Sequence, residues 1–131
     1  MERLKSHQDF TAVLKKRHKV SQKDIVVHFV VTSVPDSNNR VDDLVSSTAK
    51  NRLGLAVTKS VGNAVKRNAV KRRFRVLARR YEHLLPSGYS CDIIMRAKPG
   101  CYCVAFEELD RQVHAVFTKI AHRVTEPKDA A

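Results

Sequence analysis

One basic stretch, residues 59–80, places the strongest constraint on how this chain folds and what it binds. It carries nine of the 25 Lys and Arg residues of the 131-residue chain and no acidic residue. At about 100° per residue, residues 62–85 form an amphipathic helix with an apolar stripe and an opposed polar stripe. The apolar stripe contains Val70, Phe74, Leu77, Tyr81 and Leu84, and the polar stripe contains Asn68, Lys71, Arg72, Arg75 and Arg79. The pattern predicts that one side packs on a core while the other faces an external anion.

The cationic stripe has two interpretations. A solvated helix face is the ordinary one, but such faces normally mix charge signs as i to i+4 pairs. Here no acid lies between Asp43 and Glu82. Each like-charge neighbour on adjoining turns costs roughly 0.2–0.5 kcal/mol, so an external anion is needed to offset the repulsion. The stripe therefore favours phosphate binding.

The order of residues in this stretch adds to the charge argument. Gly62 permits a tight entry into the helix, Asn63 can cap it, and the Asn68 amide can hydrogen-bond a base edge or a sugar. In this order the stretch resembles the protein component of bacterial ribonuclease P. The family signature, Lys-x-x-Gly-x-Ala-Val-x-Arg-Asn-x-x-Lys-Arg-x-x-Arg, is matched by Lys59, Gly62, Ala64, Val65, Arg67, Asn68, Lys71, Arg72 and Arg75.

The resemblance implies two RNA-binding sites. The first would hold the catalytic RNA through Lys59, Lys66, Arg67, Asn68, Lys71, Arg72, Arg75 and Arg79. The second is a sheet cleft for the single-stranded 5′ leader of precursor tRNA, and it would contain Phe10, Leu14 and His28. The two sites are expected on opposite parts of the domain. The family has aromatic residues where this chain has Leu14 and His28, although imidazole also stacks on unpaired bases.

From the residues alone, the three cleft positions also have ordinary interpretations. Phe10 and Leu14 fall on the apolar stripe of a short helix, where a core role is the common one. His28 interrupts an apolar strand, as a buried or edge histidine often does. By resemblance, the chemistry belongs to the RNA, which holds the Mg²⁺ ions that activate water, and the protein is a monomer bound one to one with that RNA.

The length, net charge and cysteine content of the whole chain limit the class of protein to which it can belong. Its 131 residues suit a single domain, and a net charge of +12 with a pI near 10.1 indicates a polyanionic partner. Nucleic acid is favoured over an anionic membrane surface. We expect a cytoplasmic location, since no run approaches 18 apolar residues and the amino terminus does not resemble a signal peptide. Cys91, Cys101 and Cys103 lack the spacing of a zinc site, so we expect reduced thiols.

Periodicity predicts an α+β fold with a small mixed sheet and the order helix, strand, strand, helix, strand, helix. The predicted segments are a helix at 7–17, strands at 25–32 and 52–58, the basic helix, a strand at 89–96 and a helix at 105–124. Residues 33–51 are predicted to form a flexible loop, and residues 125–131 a disordered tail. A βαβ crossover spans the basic helix; ordinary packing makes it right-handed, but the resemblance implies a left-handed crossover and one further short strand.

The sequence offers no catalytic constellation for a self-sufficient enzyme. Glu107, Glu108 and Asp110 open the last helix, where its dipole favours acids, and they would recruit magnesium only weakly. No protein metal site is expected. Two alternatives to a ribonuclease P subunit remain at this point, namely a structural or ribosomal RNA-binding protein without a processing role, and a nuclease that cuts precursor tRNA alone.

Overall fold

The elements of the fold are seen in a computed structural model that describes residues 1–4, 6–16, 18–33, 51–86 and 88–125. Within these ranges the chain forms five strands and three α-helices. In chain order they are β1 (Glu2–Arg3), α1 (His7–Lys15), β2 (Lys19–Ser21), β3 (Ile25–Ser33), β4 (Arg52–Ala56), α2 (Ala64–Tyr81), β5 (Tyr89–Ala97) and α3 (Phe106–Thr125).

The strands form one mixed sheet in the order β1-β4-β5-β3-β2. β4 pairs in parallel with β1 and β5, whereas β3 pairs antiparallel with β5 and β2. The predicted α+β class and the βαβ crossover of β4, α2 and β5 are confirmed. The hand of that crossover stays a prediction.

The ends of the helices follow from local chemistry. The Ser6 side chain accepts a hydrogen bond from the Gln8 backbone N–H and caps α1. Asn63 Oδ1 accepts from the Lys66 backbone N–H at 3.0 Å and caps α2, as the sequence predicted. Gly62 has a φ of 150°, a backbone conformation that residues other than glycine rarely adopt. These residues fix where the basic helix begins.

The two faces of the sheet are covered differently. On one face α2 and α3 enclose the main core, whose largest side chains include Phe74, Leu77, Met95 and Phe117. On the other face α1 covers a smaller cluster made of Leu4, Val13 and Ile94, with Phe10, Val30 and Ala56 partly buried against it. The sheet is therefore packed on both faces, and of the described helices α1 covers one face while α2 and α3 cover the other.

The structure adds two short strands, β1 and β2, to the order predicted from periodicity, whereas the resemblance implied one. β1 and β2 have two and three residues, too few for the alternating pattern by which a strand is recognised. The predicted basic helix is also shorter, because residues Glu82–Leu84 form a separate 3₁₀ turn. Most of the predicted loop at 33–51, namely residues 34–50, and residues 126–131 of the predicted tail lie outside the described residues.

Candidate nucleic-acid interface

The cations of α2 fall into two groups by their contacts. In the described part of the chain, no hydrogen bond, ion pair or aromatic ring engages the charged groups of five of them. These five are Arg67, Lys71, Arg72, Arg75 and Arg79. They lie at i, i+4, i+5, i+8 and i+12, on one side of the helix. Their charge thus has no partner among the described residues.

Two other arginines of α2 are used within the protein. Arg73 donates from Nη1 to the Tyr102 carbonyl oxygen at 3.2 Å, and its guanidinium lies 5.2 Å from the Tyr102 ring centroid. Arg80 forms an ion pair with Asp110 and lies 5.7 Å from the Phe106 ring centroid. Neither residue was predicted to bind RNA, and both face α3 and the turn before it.

Lys66 is separated from the other predicted RNA-binding residues. Nine residues separate it from Arg75, which at about 100° per residue places the two on opposite sides of the helix. Its Nζ lies 5.5 Å from the Tyr102 ring centroid, on the side of Arg73. Lys59 and Asn68 are exposed, in the 3₁₀ turn before α2 and on the first turns of α2 respectively. The basic face of α2 therefore consists of Arg67, Lys71, Arg72, Arg75 and Arg79, and Lys66 lies apart from it.

A cavity of about 520 Å³ joins the basic helix to the predicted leader cleft. Lys71, Arg75 and Arg79 line it from α2, and Phe10 lines it from α1. The remaining lining residues belong to the amino-terminal strand, β4 and α2, namely Met1, Glu2, Arg3, Leu4, Leu53, Gly54, Leu55 and Ala78. The expectation that the two sites lie on opposite parts of the domain is therefore wrong, because one cavity touches both.

Phe10 is half-buried, and the tip of its ring packs against Gly54 of β4. A Cβ atom added to Gly54 would stand 2.5 Å from Phe10 Cζ and 3.0 Å from Cε1, so only glycine leaves room for the ring here. Leu14, one helical turn further along α1, is 43% exposed and extends the apolar surface beside the ring. The Phe10 ring thus packs on the sheet and also lines the cavity, and its contact with the leader stays a prediction.

Among the described residues, the edge of β4 is unpaired where it borders the cavity. The Leu4 N–H donates to the Leu53 carbonyl at 2.8 Å, and β1 pairs with β4 only at Arg52 and Leu53. Backbone groups two residues apart on a strand point to the same edge, so the Leu55 amide and carbonyl face the part that β1 leaves uncovered. The cavity thus combines cations, an aromatic ring and free backbone hydrogen-bonding groups.

His28 lies on the same sheet face as Gly54 but is buried. Paired residues form a row across the sheet in the order Lys19, His28, Ile94 and Gly54. The imidazole is 9% exposed, and neither ring nitrogen has a hydrogen-bond partner. Burial lowers the pKa of His28, and the nearby charges of Arg96 and Lys19 lower it further. Because the His28 ring is so deeply buried, it offers little surface to an incoming base. The predicted contact of His28 with the leader stays a prediction.

Sequence reasoning missed an ion-pair group beside the cleft. Arg52 donates from Nε to Asp92 Oδ1 at 2.9 Å and from Nη2 to Asp92 Oδ2 at 2.7 Å, while its Nη1 reaches Asp9 Oδ2 at 3.2 Å. The hydrogen bonds to Asp92 are the main cause of a raised Arg52 pKa. The three residues belong to β4, β5 and α1, and only the sheet register brings them together.

Two carboxylates near the start of α3 that could attract a metal ion are engaged in hydrogen bonds with protein side chains. Asp110 accepts hydrogen bonds from Arg80 and Tyr81, and Glu108 from Arg111 and Gln112. The bond from Arg111 is the first cause of a lowered Glu108 pKa. Across the described ranges, no three His, Cys, Asp or Glu side chains gather in a way that could hold a metal. These carboxylates serve structural ion pairs.

The cysteines are three free thiols. Cys91 and Cys101 are buried, and burial raises the pKa of each to about 11, whereas Cys103 is exposed. No described helix is both long enough and apolar enough to cross a membrane.

Comparison with known proteins decides the family. A family model described as Ribonuclease P matches residues 1–121. The chain belongs to the ribonuclease P protein family. It is 34% identical over 113 residues to the ribonuclease P protein component of Rhodococcus jostii (strain RHA1), covering 86% of this chain and 83% of the relative. It is 36% identical over 113 residues to that of Salinispora tropica, covering 82% of each.

Solved structures of ribonuclease P proteins share the fold. The Staphylococcus aureus RNase P protein superposes with a TM-score of 0.68 at 27% identity, covering 92% of this chain and 95% of that one. The Thermotoga maritima protein gives a TM-score of 0.69 at 23% identity, with 91% and 97% covered, and supports the fold. The chain is therefore a ribonuclease P subunit that acts in tRNA processing, and these relatives give no support to a ribosomal role.

Proposed function

We propose that this chain binds a catalytic RNA one to one, as a monomer in the cytoplasm, and that the resulting ribonucleoprotein removes the 5′ leader of precursor tRNA. The protein contributes binding, and the RNA carries out Mg²⁺-dependent phosphodiester hydrolysis. Membership of the ribonuclease P family supports the activity as a whole. The division of labour between protein and RNA is supported by how the side chains of α2 are used.

The observation that carries the proposal is the unequal pairing of the α2 cations. Arg73 and Arg80 have partners within the protein, whereas the five cations of the basic face have none among the described residues. A folded protein normally offsets such repulsion with interleaved acids. RNA phosphates would supply the missing negative charge, and each one neutralised would release counterions and strengthen binding at low salt.

The leader side of the proposal rests on Phe10 and the cavity. The exposed part of the Phe10 ring, the apolar Leu14 and the open edge of β4 provide a surface for an extended, unpaired strand. One base stacked on an aromatic ring is worth roughly 1–3 kcal/mol and requires little sequence preference. Because Lys71 and Arg75 line the same cavity, the leader and the catalytic RNA would approach each other there.

The assignment of Mg²⁺ to the RNA agrees with the protein carboxylates. Glu108 and Asp110, near the start of α3, accept hydrogen bonds from arginine, tyrosine and glutamine side chains, so they do not fit a magnesium site without losing these partners. Mg²⁺ keeps most of its water and prefers free carboxylate or phosphate oxygens. In the proposal, no catalytic step passes through a protein-held ion.

The test compares two double variants that remove the same charge from the same helix. Arg72→Gln/Arg75→Gln alters the unpaired face, and Arg73→Gln/Arg80→Gln alters the paired one. Affinity for a bacterial ribonuclease P RNA is measured over a range of salt concentrations. The first variant should reduce the slope of log affinity against log salt by roughly 0.7–0.9 for each phosphate that is no longer neutralised, about 1.4–1.8 in all.

The paired-face variant is the control for net charge. It should keep nearly the wild-type slope, because its guanidinium groups already have partners within the protein. Equal slopes for the two double variants would mean that overall charge, and not the basic face, holds the RNA, and the proposal would then be wrong. Thermal unfolding of both variants confirms that they are folded.

A further inference from the structure

Arg52 joins the three elements that surround the leader cleft. Its guanidinium makes two hydrogen bonds to Asp92 on β5, at 2.9 and 2.7 Å, and one to Asp9 on α1, at 3.2 Å. Two parallel bonds to one carboxylate fix the plane of the guanidinium, and a lysine cannot reproduce this. Arg52 and Asp92 are paired residues in the sheet, so the sheet fixes the position of the arginine that Asp9 meets.

The ion pair lies next to the ring that the leader is proposed to contact. Asp9 and Phe10 are consecutive on α1, and they contact Arg52 and Gly54, which lie two apart on the same face of β4. Helix α1 is therefore attached to β4 at two neighbouring points, one ionic and one aromatic. Loss of the ionic attachment would free the turn that carries Phe10.

The charge of the group argues against a direct contact between Arg52 and RNA. All three of its guanidinium nitrogens donate to carboxylates, and two carboxylates around one cation leave a net charge of −1. A phosphate approaching this group would meet like charge and an arginine that already uses three of its five N–H donors. The bridge is thus suited to holding the protein together and poorly suited to binding a phosphate.

We infer that Arg52 is a positioning residue for leader recognition, which holds α1 against the sheet through Asp9 and Asp92 so that the Phe10 ring stays at the cleft. The inference rests on the proposed function, in which Phe10 receives the leader. A purely structural ion pair would change stability without changing which RNA is bound. A positioning role changes the preference for precursor over mature tRNA, and it acts only while the Phe10 ring is present.

The experiment is a double-mutant cycle in the assembled ribonucleoprotein. Affinities for precursor and mature tRNA are measured with wild type, Asp9→Asn, Arg52→Gln, Phe10→Ala and Arg52→Gln/Phe10→Ala. Phe10→Ala should weaken precursor binding roughly 5-fold to 150-fold with mature tRNA unchanged. Arg52→Gln should also weaken precursor binding, by roughly 3-fold to 30-fold, with mature tRNA binding unchanged. In the Phe10→Ala background, Arg52→Gln should cause almost no further loss of precursor affinity.

Two further variants separate positioning from loss of a surface ion pair. Arg52→Lys keeps the charge but not the paired geometry, and it should recover part of the precursor preference. Arg111→Gln breaks the exposed pair with Glu108 on α3 and should leave the preference unchanged. If Arg52→Gln does not fold, Asp9→Asn serves instead, because it removes one bond from a side chain that is 38% exposed.

The outcomes distinguish the inference from the function on which it rests. If Phe10→Ala leaves the precursor preference unchanged, the proposed leader site is wrong and the inference falls with it. If Phe10→Ala lowers the preference but Arg52→Gln and Asp9→Asn only lower the unfolding temperature, the bridge is structural and the inference alone is wrong. Fully additive losses would show that Arg52 contacts the leader itself, which would also overturn the positioning role.

Discussion

Replacing Gly54 by alanine tests the placement of the Phe10 ring without touching any charged group. The new Cβ would stand 2.5, 3.0 and 3.1 Å from three ring carbons of Phe10. Carbon atoms pack at about 3.5–4.0 Å, so the ring must withdraw by about 1 Å. Phe10 is half-buried with one side on the cavity, so the ring can move and the domain should still fold.

The expected effect on RNA binding follows from the stacking energy. Loss of one stacked base costs roughly 1–3 kcal/mol, equivalent to a 5-fold to 150-fold loss in affinity for precursor tRNA. A ring displaced by about 1 Å keeps part of its stacking surface, so we expect the lower half of that range. Affinity for catalytic RNA and for mature tRNA should not change, because the substitution removes no cation of α2.

The assay measures precursor and mature tRNA binding by the assembled enzyme, with Gly100→Ala as the matched control. An added Cβ at Gly100 meets no atom within 4 Å among the described residues, so the substitution should leave both affinities unchanged. Equal weakening of both tRNAs by Gly54→Ala, in a protein that remains folded, would show that the ring does not contact the leader. Unchanged precursor binding would show the same.

Three further predictions follow from burial and pairing. Alkylation of the native protein, followed by mass spectrometry, should modify Cys103 rapidly and Cys91 and Cys101 only after unfolding, since the two buried thiols have pKa values of about 11. The folded-state pKa of His28 is lowered, so the stability that its neutral ring contributes is present above the unfolded pKa of about 6.5 and is lost as pH falls. On going to acid pH, the unfolding temperature should therefore fall less for His28→Leu than for wild type. Glu107→Ala should retain full cleavage at saturating Mg²⁺ in a turnover assay, and complete loss of turnover with assembly intact would contradict the assignment of chemistry to RNA.

Much of the fold was predictable because long periodic segments carry their own signal. The stripe of Val70, Phe74 and Leu77 gave the basic helix and its buried side, and all three are fully buried in the main core. The Asn63 cap followed from its place before that stripe. The short strands β1 and β2 could not be predicted, because their two and three residues are held by pairing with distant strands.

The candidate site was less predictable, since helix periodicity does not identify the partners of each cation. Lys66 and Arg75 have the same charge and lie in the same helix, yet only Lys66 reaches Tyr102, which is 36 residues away in sequence. The ion pairs of Arg52 depend on the sheet register and on the docking of α1. The apolar run around His28 left a buried and an edge position open, and the burial of the ring depends on the packing of a whole sheet face.

The central claim is that this protein supports leader removal by a catalytic RNA. Purified protein is added to a bacterial ribonuclease P RNA at low Mg²⁺, and removal of the 5′ leader from precursor tRNA is measured. We expect cleavage at a Mg²⁺ concentration at which the RNA alone is nearly inactive, because the protein neutralises RNA phosphates and so reduces the demand for Mg²⁺. We expect no cleavage from the protein alone. Binding to the RNA without any gain in cleavage, or cleavage by the protein alone, would contradict this account.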